Sequence, residues 1–171
     1  MSELHRDEIE ISEIRNSIEA LKKIDFELAY LALLTREGLK PLSRWEKQLD
    51  DKEIQFLEEM NLHTKRISRA VKTGDKVYEI IFSRSQSYID LYAERFENKP
   101  VDKSPETQRF EGFLFGFPPC CIEYYIQKPY AKNNMDEKDR NILFHWACYE
   151  CKITPFLLNS YRKISNLLEK L

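Results

Sequence analysis

The sequence predicts a mainly α-helical chain with one small antiparallel β-hairpin (an α+β fold), its helical C-terminal half organised around a cysteine cluster. Three observations carry this. Apolar residues recur at helical spacing over the first 60 positions, the period shortens to that of strands around Gly74, and all four cysteines lie between residues 120 and 151.

The first long helix follows from Ile11, Ile14, Ile18, Leu21 and Leu28, spaced by 3, 4, 3 and 7, with Asp25 interrupting the stripe. From Leu28 to Leu34 the apolar face widens, and Gly38 with Pro41 ends the helix. A second helix is expected from about Trp45 to Met60, on Leu49, Ile54, Phe56, Leu57 and Met60. The period then changes. Residues 66–72 and 76–82, joined by Thr73-Gly74-Asp75, read as a hairpin. Ser85 or Ser87 caps a helix through Phe96, and Ser104-Pro105-Glu106 is a cap-then-proline helix start. Further helices are expected from about Asp136 to Tyr149 and from Thr154 (cap) and Pro155 to about Lys170. The chain divides into an amphipathic helix over 1–26, helices with the hairpin (about 64–84) over 27–100, and a Cys/aromatic-rich helical region over 101–171, together one unit.

The 171 residues carry 27 basic and 29 acidic side chains, net −2, but unevenly. Residues 1–60 hold 9 basic and 15 acidic groups, whereas 61–84 hold 6 basic and 2 acidic. Lys65, Arg66, Arg69, Lys72 and Lys76 of that basic block are candidate phosphate contacts, which makes RNA a candidate partner. The order helix, helix, basic hairpin is similar in outline to a winged-helix module, although its preceding helix is acidic. The stripe Ile11, Ile14, Ile18 and Leu21 is narrow and flanked by charges of both signs, the pattern of a seam between two helices. It is a candidate contact for a protein partner or a second copy. No apolar run approaches the ~20 residues of a spanning helix, and the first residues lack an apolar leader, so a cytoplasmic protein is expected. Four glycines leave no phosphate-cradling loop, and no acid–base pair or nucleophile set stands out, so no catalytic residue is assigned.

The cysteines carry the strongest chemical signal. Cys120-Cys121 follows the rigid turn Gly116-Phe-Pro-Pro119, where a first helical turn lowers a thiol's pKa; Cys148-x-x-Cys151 is a second pair. The 47 residues from Phe110 to Phe156 hold every thiol and 11 of the 21 aromatic rings. Soft ligands converging inside a dry aromatic shell suit a metal. Four thiolates suit Zn2+ or a 4Fe–4S cluster; His145 is an alternate ligand or a partner behind the ligands. Buried inert thiols and disulfides are the competing readings.

Gly116-Phe-Pro-Pro-Cys-Cys-Ile-Glu-Tyr-Tyr125 and His145-Trp-Ala-Cys-Tyr-Glu-Cys-Lys-Ile-Thr-Pro155 together resemble a prokaryotic, largely archaeal family known only as a domain of unknown function. Its hallmarks are a G-[FY]-P-x-C-C block and a later H-x-x-C-x-x-C block. The resemblance covers about residues 108–163 and implies the cysteine site without an activity. The expected function is therefore a metal-binding helical binding or adaptor module engaging protein or RNA partners. The alternative is a redox or thiol-dependent enzyme.

Overall fold

A computed structural model describes residues 3–71 and 73–171, with side chains from residue 13 onward. The Ile11 side chain and Lys72 lie outside the described residues.

The first helical run divides in two, α1 (Glu3–Ile24) and α2 (Phe26–Arg36), because Asp25 does more than interrupt a stripe. Its extended backbone (φ −161°) lets the carboxylate accept the Glu27 N–H at 2.9 Å and start a new helix. Every residue of α2 from Leu28 to Thr35 is buried, so this helix is the centre of the molecule. It ends where Gly38, at φ +74°, lets its own N–H reach Thr35 O and the Leu39 N–H reach Leu34 O.

Residue 45 does not open a helix. Ser43–Trp45 is a strand, β1, and the second helix is only α3 (Asp51–Glu59), begun by a reciprocal cap between Asp50 and Glu53. The hairpin forms as β2 (His63–Ala70) and β3 (Lys76–Ser83), but the sheet has three strands rather than two, antiparallel in the order β1-β3-β2. Pairing of Ser43 with Phe82 and of Trp45 with Ile80 places β1 on the free side of β3. Three residues of strand carry too short an alternation to be read from sequence.

The register puts Ile67 opposite Glu79 and Lys65 opposite Ile81, so the two faces of the sheet have different cores. Ile67 and Ile81 pack with Ile89, Tyr92, Ala93 and Phe96 of α4 (Gln86–Phe96) and with Leu114 of α5 (Pro105–Leu114). Trp45, Ile80 and Phe82 face the other way, into a core shared by α1, α2, α3 and the last helix, α8 (Thr154–Lys170). Between α5 and α8 lie α6 (Pro119–Gln127) and the short α7 (Glu137–Ile142).

Two expectations are corrected here. Ile14, Ile18 and Leu21 do not form a free seam; they are buried in this second core with α2 and α3, and Ser17 of α1 donates to Glu59 of α3 at 2.6 Å. A narrow stripe shows that a helix has one apolar face, but the surface covering it here comes from the same chain. The basic block is likewise divided. Arg69 is 3% exposed and bonds Glu111 at 3.1 Å beneath α4 and α5, where no phosphate reaches it. Lys65 pairs with Glu97, and Arg66, on the opposite face, pairs with Asp51 and Leu49 O, so no single surface presents them together; Lys76 stays exposed at the far end of the hairpin. Arg44, Glu79, Tyr92 and Glu111 complete the buried network around Arg69.

Candidate metal centre

Two short segments bring the cysteines together. The first is the turn out of α5. Gly116 takes φ +73°, and a Cβ there would meet Leu39 O at 2.9 Å, so the chain passes against the α2–β1 connection as only glycine can. Pro118 caps α6 and Pro119 opens it, so the helix takes in the end of the expected rigid turn, and Cys120 and Cys121 lie in its first turn, as the sequence predicts.

The second segment departs from expectation. The helix expected to run to Tyr149 stops at Ile142, and residues 143–153 are irregular. Cys148 and Cys151 therefore sit on a tight turn rather than one side of a helix end. The Cys151 N–H reaches Cys148 O at 3.3 Å, and Glu150 adopts φ +56°. The turn feeds directly into α8.

The four sulfurs converge. All four Sγ atoms lie within 4.8 Å of one another, and Cys120, Cys121, Cys148 and Cys151 are close enough to bind a metal ion. Cys121 to Cys151 is 3.4 Å, Cys120 to Cys151 is 3.7 Å, and Cys120 to Cys121 is 4.0 Å. None is disulfide-bonded. A regular tetrahedron with 2.3 Å metal–sulfur bonds has edges of about 3.8 Å, and these three spacings lie close to that length. Cys121 is buried and Cys120 exposed, with Cys148 and Cys151 between, so one edge of the cluster faces solvent.

Donors from the backbone surround the sulfurs. The Cys148 N–H reaches Cys121 Sγ at 3.3 Å; the Thr154 N–H and hydroxyl reach Cys151 Sγ at 3.3 and 3.2 Å. Burial pushes the Cys121 thiol up and the Cys148 thiol up to about 11. At Cys151 burial pushes the same way, but the hydrogen bonds from Thr154, Cys121 and the Ile153 backbone together outweigh it and bring the thiol down to about 6. A divalent cation would displace the remaining protons, because only thiolates ligate. Helices α6 and α8 both present their N-terminal ends here, which further favours negative sulfur.

His145 is not in the ligand group. Its Nε2 lies 3.0 Å from Thr154 Oγ1, and that hydroxyl donates on to Cys151 Sγ, so the ring acts behind a ligand, through Thr154. Burial, with the Lys40 charge nearby, lowers its pKa to about 4. The sequence shows Thr154 as a helix cap and hides its part in the site; a hydroxyl three residues after Cys151, at a helix start, is the readable signal. The loop before α7 is tied on by Asn133 Nδ2 donating to Ala147 O at 3.0 Å and Trp146 Nε1 donating to Ala131 O at 2.7 Å.

Comparison with family models, curated proteins and solved structures gives no match, so the reading of the site stands on its geometry. Among the described residues no helix is long and apolar enough to cross a membrane.

Proposed function

We propose that the chain is a zinc-bound helical binding or adaptor module, in which Cys120, Cys121, Cys148 and Cys151 hold one structural ion and a protein partner docks on the surface beside it. The observation that carries this reading is the mutual spacing of four sulfurs within 4.8 Å. A 4Fe–4S cube carries its thiolates one per iron on the outside, so they stand apart by the size of the cube as well as by two bonds. Four protein thiolates also leave no open position for a substrate, the arrangement of structural rather than catalytic zinc.

A redox or thiol-dependent enzyme has less to draw on, because His145 reaches Thr154 and not a cysteine. RNA binding has lost Arg69 to the interior. Support for a protein partner comes from the metal-bearing half itself. Phe113 is 58% exposed and Phe156, in the first turn of α8, 79% exposed, with exposed Ile153 nearby. Exposed rings of this size beside a rigid centre are the composition of an interface core. Membership in the domain family suggested by the G-F-P-P-C-C and H-x-x-C-x-x-C blocks is part of the same proposal.

Elemental analysis of anaerobically purified protein tests the metal. One zinc per chain in a colourless protein is expected. A brown protein holding iron and sulfide overturns the zinc assignment, and a metal-free, folded protein with four titratable thiols overturns the centre.

A further inference from the structure

Between α2, β1 and the metal-bearing half lies a cavity of ≈ 930 Å3, whose lining reaches Cys121 of the sulfur cluster and His145 behind it. Its lining includes the rings of Phe115, Phe117, Phe144 and Trp146, and Lys40 lies among them. Lys40 is 2% exposed. Its Nζ donates to Phe115 O at 3.0 Å and stands 4.9 Å from the Phe117 ring centre and 5.1 Å from that of Phe144.

This is an unusual place for a lysine. An ammonium carries three donors, and here one reaches a carbonyl while the rings offer only their faces. Buried cations are ordinarily paired with an anion, yet among the described residues no carboxylate is paired with Lys40. The acidic groups lining the cavity are engaged elsewhere. Glu111 is held by Arg44 and Arg69, Glu46 by Arg44, and Glu27 lies near Lys47. Five basic side chains line the cavity against three acidic ones. Two further lining residues keep buried polar atoms without a partner, Trp45 at Nε1 and His145 at Nδ1. A buried, unpaired cation on a cavity lined by aromatic rings and charged side chains is the making of a ligand site, since a small-molecule pocket pairs apolar walls with a few placed polar groups.

We infer that this cavity binds a small organic carboxylate with a flat apolar body, its carboxylate on Lys40 Nζ and its body between the aromatic walls. The carboxylate supplies the missing counterion and the acceptors for the remaining ammonium donors. The body replaces water against Phe117, Phe144 and Trp146. Burial, followed by the charge of Arg44, lowers the Lys40 pKa to about 7, and a bound anion would restore full protonation.

Both tryptophans of the chain, Trp45 and Trp146, line the cavity, so intrinsic fluorescence reports on it. The metal-loaded full-length protein is titrated with benzoate, phenylacetate and indole-3-acetate to millimolar concentration, the fluorescence read for the first two and ligand-observed NMR for all three. Saturable binding of at least one is expected. Its neutral amide should bind weaker by about tenfold or more, the size of one charge-assisted hydrogen bond. Lys40→Met should weaken the carboxylate to the same extent while circular dichroism and metal content stay unchanged. No saturable binding of any of the three overturns the proposal, as does an amide that binds equally well. Equal carboxylate binding by a folded Lys40→Met protein also overturns it. The amide comparison uses the unaltered chain, so it decides the matter even if that variant does not fold.

Discussion

Removing the metal should disorder one segment of the chain first, and the structure identifies which one. Residues 143–153 follow the end of α7 and precede α8 with little regular hydrogen bonding of their own; the Leu143 N–H reaches Arg140 O and the Cys151 N–H reaches Cys148 O. Fixing a backbone costs about 1–2 kcal/mol per residue, so ordering these 11 residues costs about 11–22 kcal/mol. A structural zinc site contributes about 10–16 kcal/mol of apparent binding free energy at neutral pH. The two quantities are of the same size, so an ion bound by the four cysteines would offset much of that cost, beside the contacts of Trp146 and Ala147 with the loop before α7. Hydrogen–deuterium exchange with and without a strong chelator reads this directly. Peptides covering 143–153 and 116–122 should lose protection, whereas those from α2 and β3 keep theirs. The melting temperature should fall as well. At about 2–4 °C per kcal/mol for a chain of this size, losing even about 4 kcal/mol lowers it by about 8–16 °C. Cys121→Ser, which removes the buried ligand, should reproduce the chelated pattern. Unchanged protection of 143–153 after complete metal removal would refute the reasoning, and would mean that Trp146, Ala147 and their partners suffice.

Other expectations follow from particular contacts. Ile18, fully buried in α1, should cost about 2–5 kcal/mol when changed to Ala, read as a lower denaturation midpoint with no change in oligomeric state by light scattering. Gly116→Ala should destabilise the chain and loosen the metal centre, because a Cβ at φ +73° meets Leu39 O; zinc release timed with a chromogenic chelator should be faster than in the parent protein. At Asp25 the hydrogen bond from Lys47 holds the carboxyl below its usual range, so its stabilisation is present above the unfolded value and is lost as pH falls through the lowered one. Asp25→Asn keeps a capping side chain but not the charge, so its small melting-temperature deficit near neutral pH should begin to shrink as pH falls below about 4 and vanish only below the lowered folded-state value. Phe156→Ala, at an exposed ring, should leave the melting temperature within about 2 °C of the parent and reduce partner binding, measured by pull-down with a partner once identified.

Much of the local structure was legible because its causes are local. Ser104 followed by Pro105, the glycine at 38 and the turn at 73–75 act within a few residues, and each does in the structure what its chemistry requires. The cysteines were legible for a related reason. Pro119 stands in the first turn of α6, where its fixed φ suits a helix start, and Cys148-x-x-Cys151 closes a turn over three residues, so each pair is held together by residues close to it in sequence. What sequence could not supply was everything that depends on which surface comes to lie opposite. The stripe on α1 has the same spacing whether another chain or α2 and α3 cover it, and only the packing shows that they do. Arg69 looks like its neighbours Lys65 and Arg66 until the register turns it inward towards Glu111. Trp45 sits in an apolar set that suits a helix, but the open side of β3 makes it a strand, since backbone groups there need partners. Lys40 carries no mark in the sequence; the rings around it come from residues 115, 117 and 144, far along the chain, and only the tertiary fold makes that lysine a buried cation. Short-range geometry is written in the order of residues, whereas burial and charge pairing belong to surfaces that exist only after the chain has closed on itself.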